Sequence, residues 1–288
     1  MTISIHLSGE LASALASAKY MNTLINKPKT GSNLVYPEDF RVACLIRDLS
    51  HESILRHFFD QVSICNLLNC RDERHLAYPV EVIHEYASLG GEPMIPKGNN
   101  INQRRGVSYF RQILGIFHAA ALGPKATKTA CLSVIDNWHQ SLVPRMVTSE
   151  VLVVNRNTSI PLSKDLVILC EIFEVRPEEI LQYFINQISL PYAKARIRQA
   201  TPNPRNPSLL FFLAASAGKT GLYSLNHEIP YPGLFFKFNS ELQELYLRLL
   251  FNRNVTDRER IYRKLYHAWY KAILSEKRPS KKPNPNIK

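Results

Sequence analysis

From residue 42 the apolar side chains fall at helical spacing: Val42, Leu45, Ile46 and Leu49, then Ile54, Leu55, Phe58, Phe59 and Val62. Ser50 stands between the two runs, where the second helix needs an N-cap. A third helix is predicted after Pro79, stopping near Gly90, because glycine just past a helix end takes the left-handed turn most readily. Two more helices are predicted around residues 108–122 and 127–143. Further on, Pro177 occupies a first helical position, where its missing N–H is not needed. Another helix follows Pro207 and stops near Gly218, and two long ones cover about 239–251 and 257–275. Segments 90–106 and 219–238, rich in Gly, Pro and Asn, read as loops. Val151-Leu-Val-Val154 is the one β-like run, a short strand between the two halves.

The second half resembles the first. Residues 42–63 have a counterpart 126 positions later, in which Cys44/Cys170, Ile46/Ile172, Glu52/Glu178, Ile54/Ile180, Leu55/Leu181, Phe58/Phe184, Gln61/Gln187 and Ser63/Ser189 are identical. At an offset of 128, Pro79, Ala87, Ser88 and Gly90 meet Pro207, Ala215, Ser216 and Gly218. At an offset of 131 the only two tryptophans coincide, Trp138 with Trp269. Offsets that drift between matched landmarks are what loop insertions in a duplicated helical unit produce. The fold expected is therefore mainly α, in two tandem copies of a roughly five-helix unit. The layout is an N-terminal helical extension (1–30), copy one (31–145), a connection (146–164), copy two (165–278) and a disordered basic tail (279–288).

Composition agrees with a helical core. A hydrophobic fraction of 45% is enough to bury one, and eleven glycines in 288 residues suit neither a hairpin-rich β protein nor a Gly-rich nucleotide fold. No apolar run approaches the ~18 residues that span a bilayer, and the N-terminus does not read as a secretory signal. Five cysteines without a tight framework point to reduced thiols and a cytoplasmic location.

Charge adds a direction. The net +12 is uneven: residues 31–150 hold twelve basic and twelve acidic groups, whereas residues 248–288 hold twelve basic and three acidic. Thr256-Asp-Arg-Glu259 has the form of a capping box and marks the start of the last helix. Ile261, Leu265, Ala268, Trp269 and Ala272 are its expected apolar face. Arg260, Lys264, His267 and Lys271 recur at intervals of four, three and four on another, beside Tyr262, Tyr266 and Tyr270. Arg263 joins them, and Lys277, Arg278, Lys281 and Lys282 carry the charge into the tail. A second cluster, Lys194, Arg196, Arg198 and Arg205, lies in what reads as a linker after Ser189; its counterpart in copy one, Arg71, Asp72, Glu73 and Arg74, is balanced. Cations of this kind on a helix and tail suit phosphate groups of DNA or RNA.

Other signals are weaker. The spacing of Cys170, Glu174, Val175, Ile180 and Tyr183, and of Cys44, Asp48, Leu49, Ile54 and His57, resembles a helix-turn-helix. Against it, the would-be reading helices open with Glu52 and with Glu178-Glu179, which would face phosphates; carboxylates there suit a helix N-terminus in a structural hairpin. Gln61/Gln187 and Ser63/Ser189 could line a shared groove, but read first as residues that cap a helix end or satisfy buried backbone groups. Ala217-Gly218-Lys219-Thr220 resembles the end of a P-loop, but Leu213 stands at the earlier glycine position. Ser216 and Lys219 have acyl-transfer spacing without a supporting motif. Cys65, Cys70, His75 and His84 lack zinc-finger spacing. No cofactor, metal or catalytic constellation is expected.

The expected function is non-catalytic binding of DNA or RNA, in an architectural or accessory role and with no membrane partner. The alternative is an adaptor in a larger protein assembly, its basic end on an acidic partner, and that alternative expects an exposed apolar patch on one half.

Overall fold

The computed structural model describes residues 34–69, 74–89, 101–119, 124–146, 148–155, 158–197, 206–218 and 231–276. Among them are twelve α-helices and one two-stranded sheet. Six helices precede the strands: α1 (Glu38–Ile46), α2 (His51–Asp60), α3 (Ile64–Asn69), α4 (Tyr78–Ser88), α5 (Ile101–His118) and α6 (Pro124–Leu142). An antiparallel hairpin of β1 (Val151–Asn155) and β2 (Thr158–Pro161) follows, with Leu152 opposite Ile160. Leu152, Val154 and Ile160 turn inward while Val151 and Val153 face out, the alternation of a strand with one covered face. Six helices come after it: α7 (Lys164–Phe173), α8 (Pro177–Asn186), α9 (Leu190–Arg196), α10 (Pro207–Ser216), α11 (Pro232–Arg248) and α12 (Val255–Glu276).

Short polar side chains start these helices by accepting otherwise orphaned backbone N–H groups. Ser50 Oγ accepts from Ser53 N at 3.0 Å, Ser63 Oγ from Asn66 N at 3.3 Å and Ser189 Oγ from Tyr192 N at 3.3 Å. Ser163 and Asn206 do the same for α7 and α10, at 3.2 and 2.8 Å. Gln61 and Gln187 are the C-terminal cap residues of α2 and α8. The turns after α1 and α7 close alike, through left-handed Asp48 (φ 49°) and Glu174 (φ 55°). In each, a backbone N–H reaches back five residues, Leu49 to Cys44 at 3.0 Å and Val175 to Cys170 at 3.1 Å.

At the centre, Phe58 of α2 and Phe184 of α8 stack with ring centroids 4.2 Å apart. Phe211 of α10 meets both edge-on, at 5.5 and 5.9 Å. All three rings are fully buried. Around them α4 lies against α10 and α8, and α10 against α2. On the flanks α6 rests on α5 and α7, while α12 rests on α11, α9 and α1. Helices from before and after the hairpin thus share one core. The two tryptophans occupy similar aromatic nests. Trp138 stacks on Tyr109 at 5.3 Å and meets the edge of Phe110; Trp269 lies against Phe238 at 5.1 Å, with Phe235 beyond. Neither indole Nε1 has a hydrogen-bond partner among the described residues.

Several expectations are corrected. Each side of the hairpin has six helices, because the stretches after Ser63 and Ser189 form the short helices α3 and α9. Lys194 and Arg196 accordingly sit on a helix, not in a linker. α5 begins at Ile101 and α11 at Pro232, inside segments that read as loops. Gly106 misled the reading of α5. It is a buried helical residue, and a Cβ there would sit 3.0 Å from Trp138 Cζ2, so its smallness serves packing instead of a turn. The connection holds the hairpin. Both the N-terminal extension and the basic tail lie outside the described residues.

Candidate nucleic-acid interface

α12 is a continuous helix of 22 residues. It starts at Val255, and its cap lies two positions before Thr256: Asn254 Oδ1 accepts from Asp257 N at 3.1 Å, and the Asn254 carbonyl accepts from Arg258 N at 3.0 Å. The capping-box reading therefore located the right turn but the wrong cap. The face buried against the body carries Arg258, Tyr262, Tyr266, Trp269 and Ile273, whereas Ala268 is exposed. This corrects the expected apolar face by a rotation of the helix. Tyrosine rings offer far more apolar area than Ala268 or Ala272, so burying Tyr262 and Tyr266 gains more. Burial also pushes the Tyr266 phenol well above its ordinary range. These two rings are thus unavailable beside the basic stripe, and only Tyr270 stays half-exposed there.

The basic side chains divide into two sets. In the first, basic side chains tie helices together. Arg263 reaches Asp39 of α1 at 2.9 Å and Glu259 at 2.9 Å. His267 places Nε2 at 2.8 Å from Asp39 and Nδ1 at 3.3 Å from Glu38. Arg196 of α9 pairs with Glu259 at 3.0 Å and lies over the Tyr192 ring at 3.5 Å, a cation–π contact. Between α6 and α7, Lys164 lies 2.7 Å from Asp136.

The second set faces outward. Lys194, Lys264 and Lys271 are exposed and have no ion-pair partner among the described residues. Arg260 is exposed as well and pairs only with Asp257 of its own helix, at 2.7 Å. Arg260, Lys264 and Lys271 share the outward face of α12, which ends at Glu276. Arg198, Arg205, Lys277, Arg278, Lys281 and Lys282 lie outside the described residues.

The structure adds Arg258, which the sequence reading overlooked. It is 7% exposed and its Nε has no hydrogen-bond partner among the described residues. The only hint in the sequence is its spacing of four and eight residues from Tyr262 and Tyr266, which puts it on the inward face.

The helix-turn-helix resemblance resolves into two structural hairpins. α8 buries Pro177, Ile180, Leu181, Tyr183, Phe184 and Ile185. Of its polar residues, Gln182 is bound to both the N–H and the carbonyl of Val35, at 2.9 and 2.8 Å. Glu179 is held by Arg176 and by the Tyr86 hydroxyl. No residue of α8 is exposed, and the exposed positions of α2 are Glu52, Ser53, Arg56 and Asp60. Gly218, at φ +75°, ends α10 in the manner of a C-terminal glycine.

Cys65 of α3 lies against Cys131 of α6, and burial pushes both thiols up. Among the described residues no three His, Cys, Asp or Glu side chains gather as a metal site. Nor is any helix among them long and apolar enough to cross a membrane. Compared with known proteins, the chain matches no family model, no curated protein and no solved structure.

Proposed function

We propose that the protein binds DNA or RNA without catalysis, through the outward face of α12 and the basic residues that follow it. One observation carries this reading. Arg260, Lys264 and Lys271 line one exposed face of a long helix, and Lys277, Arg278, Lys281 and Lys282 follow it in the sequence. Lys194 adds a fourth exposed cation on neighbouring α9. Arg196 and Arg263 are assigned to holding α9, α12 and α1 together, because their guanidiniums are already bound to carboxylates. Contacts to phosphate position a protein without reading bases, so the role is architectural or accessory.

The same proposal includes an internal duplication. Supporting it are the αL turns at Asp48 and Glu174, the caps at Ser63 and Ser189, the two tryptophan nests, and the matched seams of α6 on α7 and α12 on α1. Two halves built this way, with the cations concentrated on one, give the molecule a single polyanion-facing end.

The test is binding of the full chain, and of a chain ending at Ser275, to random duplex DNA and single-stranded RNA across 50 to 300 mM salt. If about eight cations meet duplex phosphates, the log–log slope is about −7, and truncation brings it to about −4. Absence of binding at 50 mM salt refutes the proposal. The adaptor reading then leads, and one observation favours it: α11 exposes Phe236 and Leu247, with Phe251 just beyond.

A further inference from the structure

Among the described residues, α11 is held to the body by one face. Phe238 and Leu245 are buried, and Phe235 and Phe238 reach Trp269. On the opposite face Phe236 is 65% exposed and Leu247 64%, and Phe251, in the turn after the helix, is 87% exposed. Isolated exposed apolar residues need no explanation, but these fall in line. Phe236, Ser240, Gln243 and Leu247 recur at intervals of four, three and four, the spacing of a helix–helix seam. Lys237 and Glu244, each one residue beyond a seam position, border it on the same side.

We propose that this stripe joins two copies of the chain, with their α11 helices antiparallel about a twofold axis between Ser240 and Gln243. In that arrangement Phe236 lies opposite Leu247 of the second copy, and the reverse, as an isologous contact requires. Antiparallel pairing brings the same edge of each helix together, so Lys237 meets Glu244 of the second copy twice over. A parallel pairing would set that edge against Asn239 and Tyr246, where no opposite charge waits. Among the described residues Lys237 pairs with Glu241 alone, at 4.0 Å, and both side chains are exposed, so little holds the lysine at home. Ser240 and Gln243 form a polar layer at the axis, which fixes register and orientation at some cost in affinity.

The charge on this face also selects the occupant. Lys237 and Arg248 are matched by Glu241 and Glu244, so the face has no net sign to attract a polyanion or an acidic protein. It is complementary to itself. A 17-residue helix is about 25 Å long, which places the contact at the small end of stable interfaces and makes the dimer reversible.

Sedimentation equilibrium of the full chain across micromolar concentrations tests this. The mass is expected to rise from 33.0 kDa toward twice that value with concentration. Phe236→Asp, a surface change that leaves the circular dichroism intact, is expected to weaken the dimer by tenfold or more. Lys237→Glu and Glu244→Lys are each expected to weaken it several-fold, and the double variant to restore it. A chain that stays monomeric throughout overturns the proposal, as does a dimer indifferent to Phe236→Asp. Failure of the double variant to recover overturns the antiparallel pairing. Because none of these outcomes depends on nucleic acid, they stand apart from the binding test above.

Discussion

The stack of Phe58 on Phe184 gives a direct test of whether the residues before and after the hairpin fold as one body. Both rings are fully buried, 4.2 Å apart, and come from helices far separated in sequence. Truncating a fully buried phenylalanine to alanine costs roughly 3–5 kcal/mol in transfer and cavity terms. Each single variant should therefore lose about 4 kcal/mol, a large part of the 5–15 kcal/mol that stabilises an ordinary domain. An aromatic pair of this geometry contributes about 1 kcal/mol beyond its buried area. The double variant should accordingly lose about 7 kcal/mol instead of the additive 8 or so, because the stack is broken only once. Urea unfolding followed by far-ultraviolet circular dichroism and by tryptophan fluorescence measures this. Trp138 reports on the residues before the hairpin and Trp269 on those after it, so variants retaining one tryptophan should show coincident transitions. Phe→Leu substitutions give a milder cycle if the double alanine variant does not fold. Two separate transitions, or additivity of the two losses, would refute a shared core.

Three other outcomes are expected. Gly106→Ala and Gly115→Ala lie on the same helix but should have opposite signs: Gly115 has open space and gains about 0.5–1 kcal/mol of helix propensity, while the Cβ at Gly106 collides with Trp138 and costs about 1–3 kcal/mol of overpacking; thermal unfolding distinguishes them. Asp165 is held above its ordinary 3.8 by burial, despite the 2.7 Å hydrogen bond it accepts from Ile64 N. A raised carboxyl binds more protons when folded, so it subtracts stability as pH climbs from 3.8 through the raised value. Asp165→Asn keeps an acceptor for Ile64, and its stability relative to the parent should grow across that window; a constant difference would contradict the assignment. Lastly, Asp39→Ala removes the buried carboxylate that Arg263 and His267 share, leaving them Glu259 and Glu38, and should cost about 1.5–3 kcal/mol, whereas Lys164→Ala removes an exposed pair and should cost at most about 1 kcal/mol; equal losses in urea would show that burial does not govern these seams.

What was legible in the sequence is what local physics controls. Helical spacing, Ser50 as a cap, Pro177 and Pro207 at helix starts and Gly218 at a helix end all act within a few residues of where they stand. Composition and period together were enough for a mainly helical chain and for β1, while β2, its partner in the hairpin, was not foreseen. The tertiary structure decided which face of each helix goes inward, because that depends on the shape of what lies opposite. Tyr262 and Tyr266 displaced Ala268 from the inward face of α12 because larger rings fill the space against the neighbouring helices. Gly106 looks like a loop residue until Trp138, 32 positions away, is found against it. Charge shows the same divide. The surplus of cations near the C-terminus is a property of the chain, but whether an arginine faces solvent or a carboxylate is set by helices brought close only on folding. Arg263 meets Asp39 across 224 residues and Arg196 meets Glu259 across 63, distances over which no sequence pattern acts.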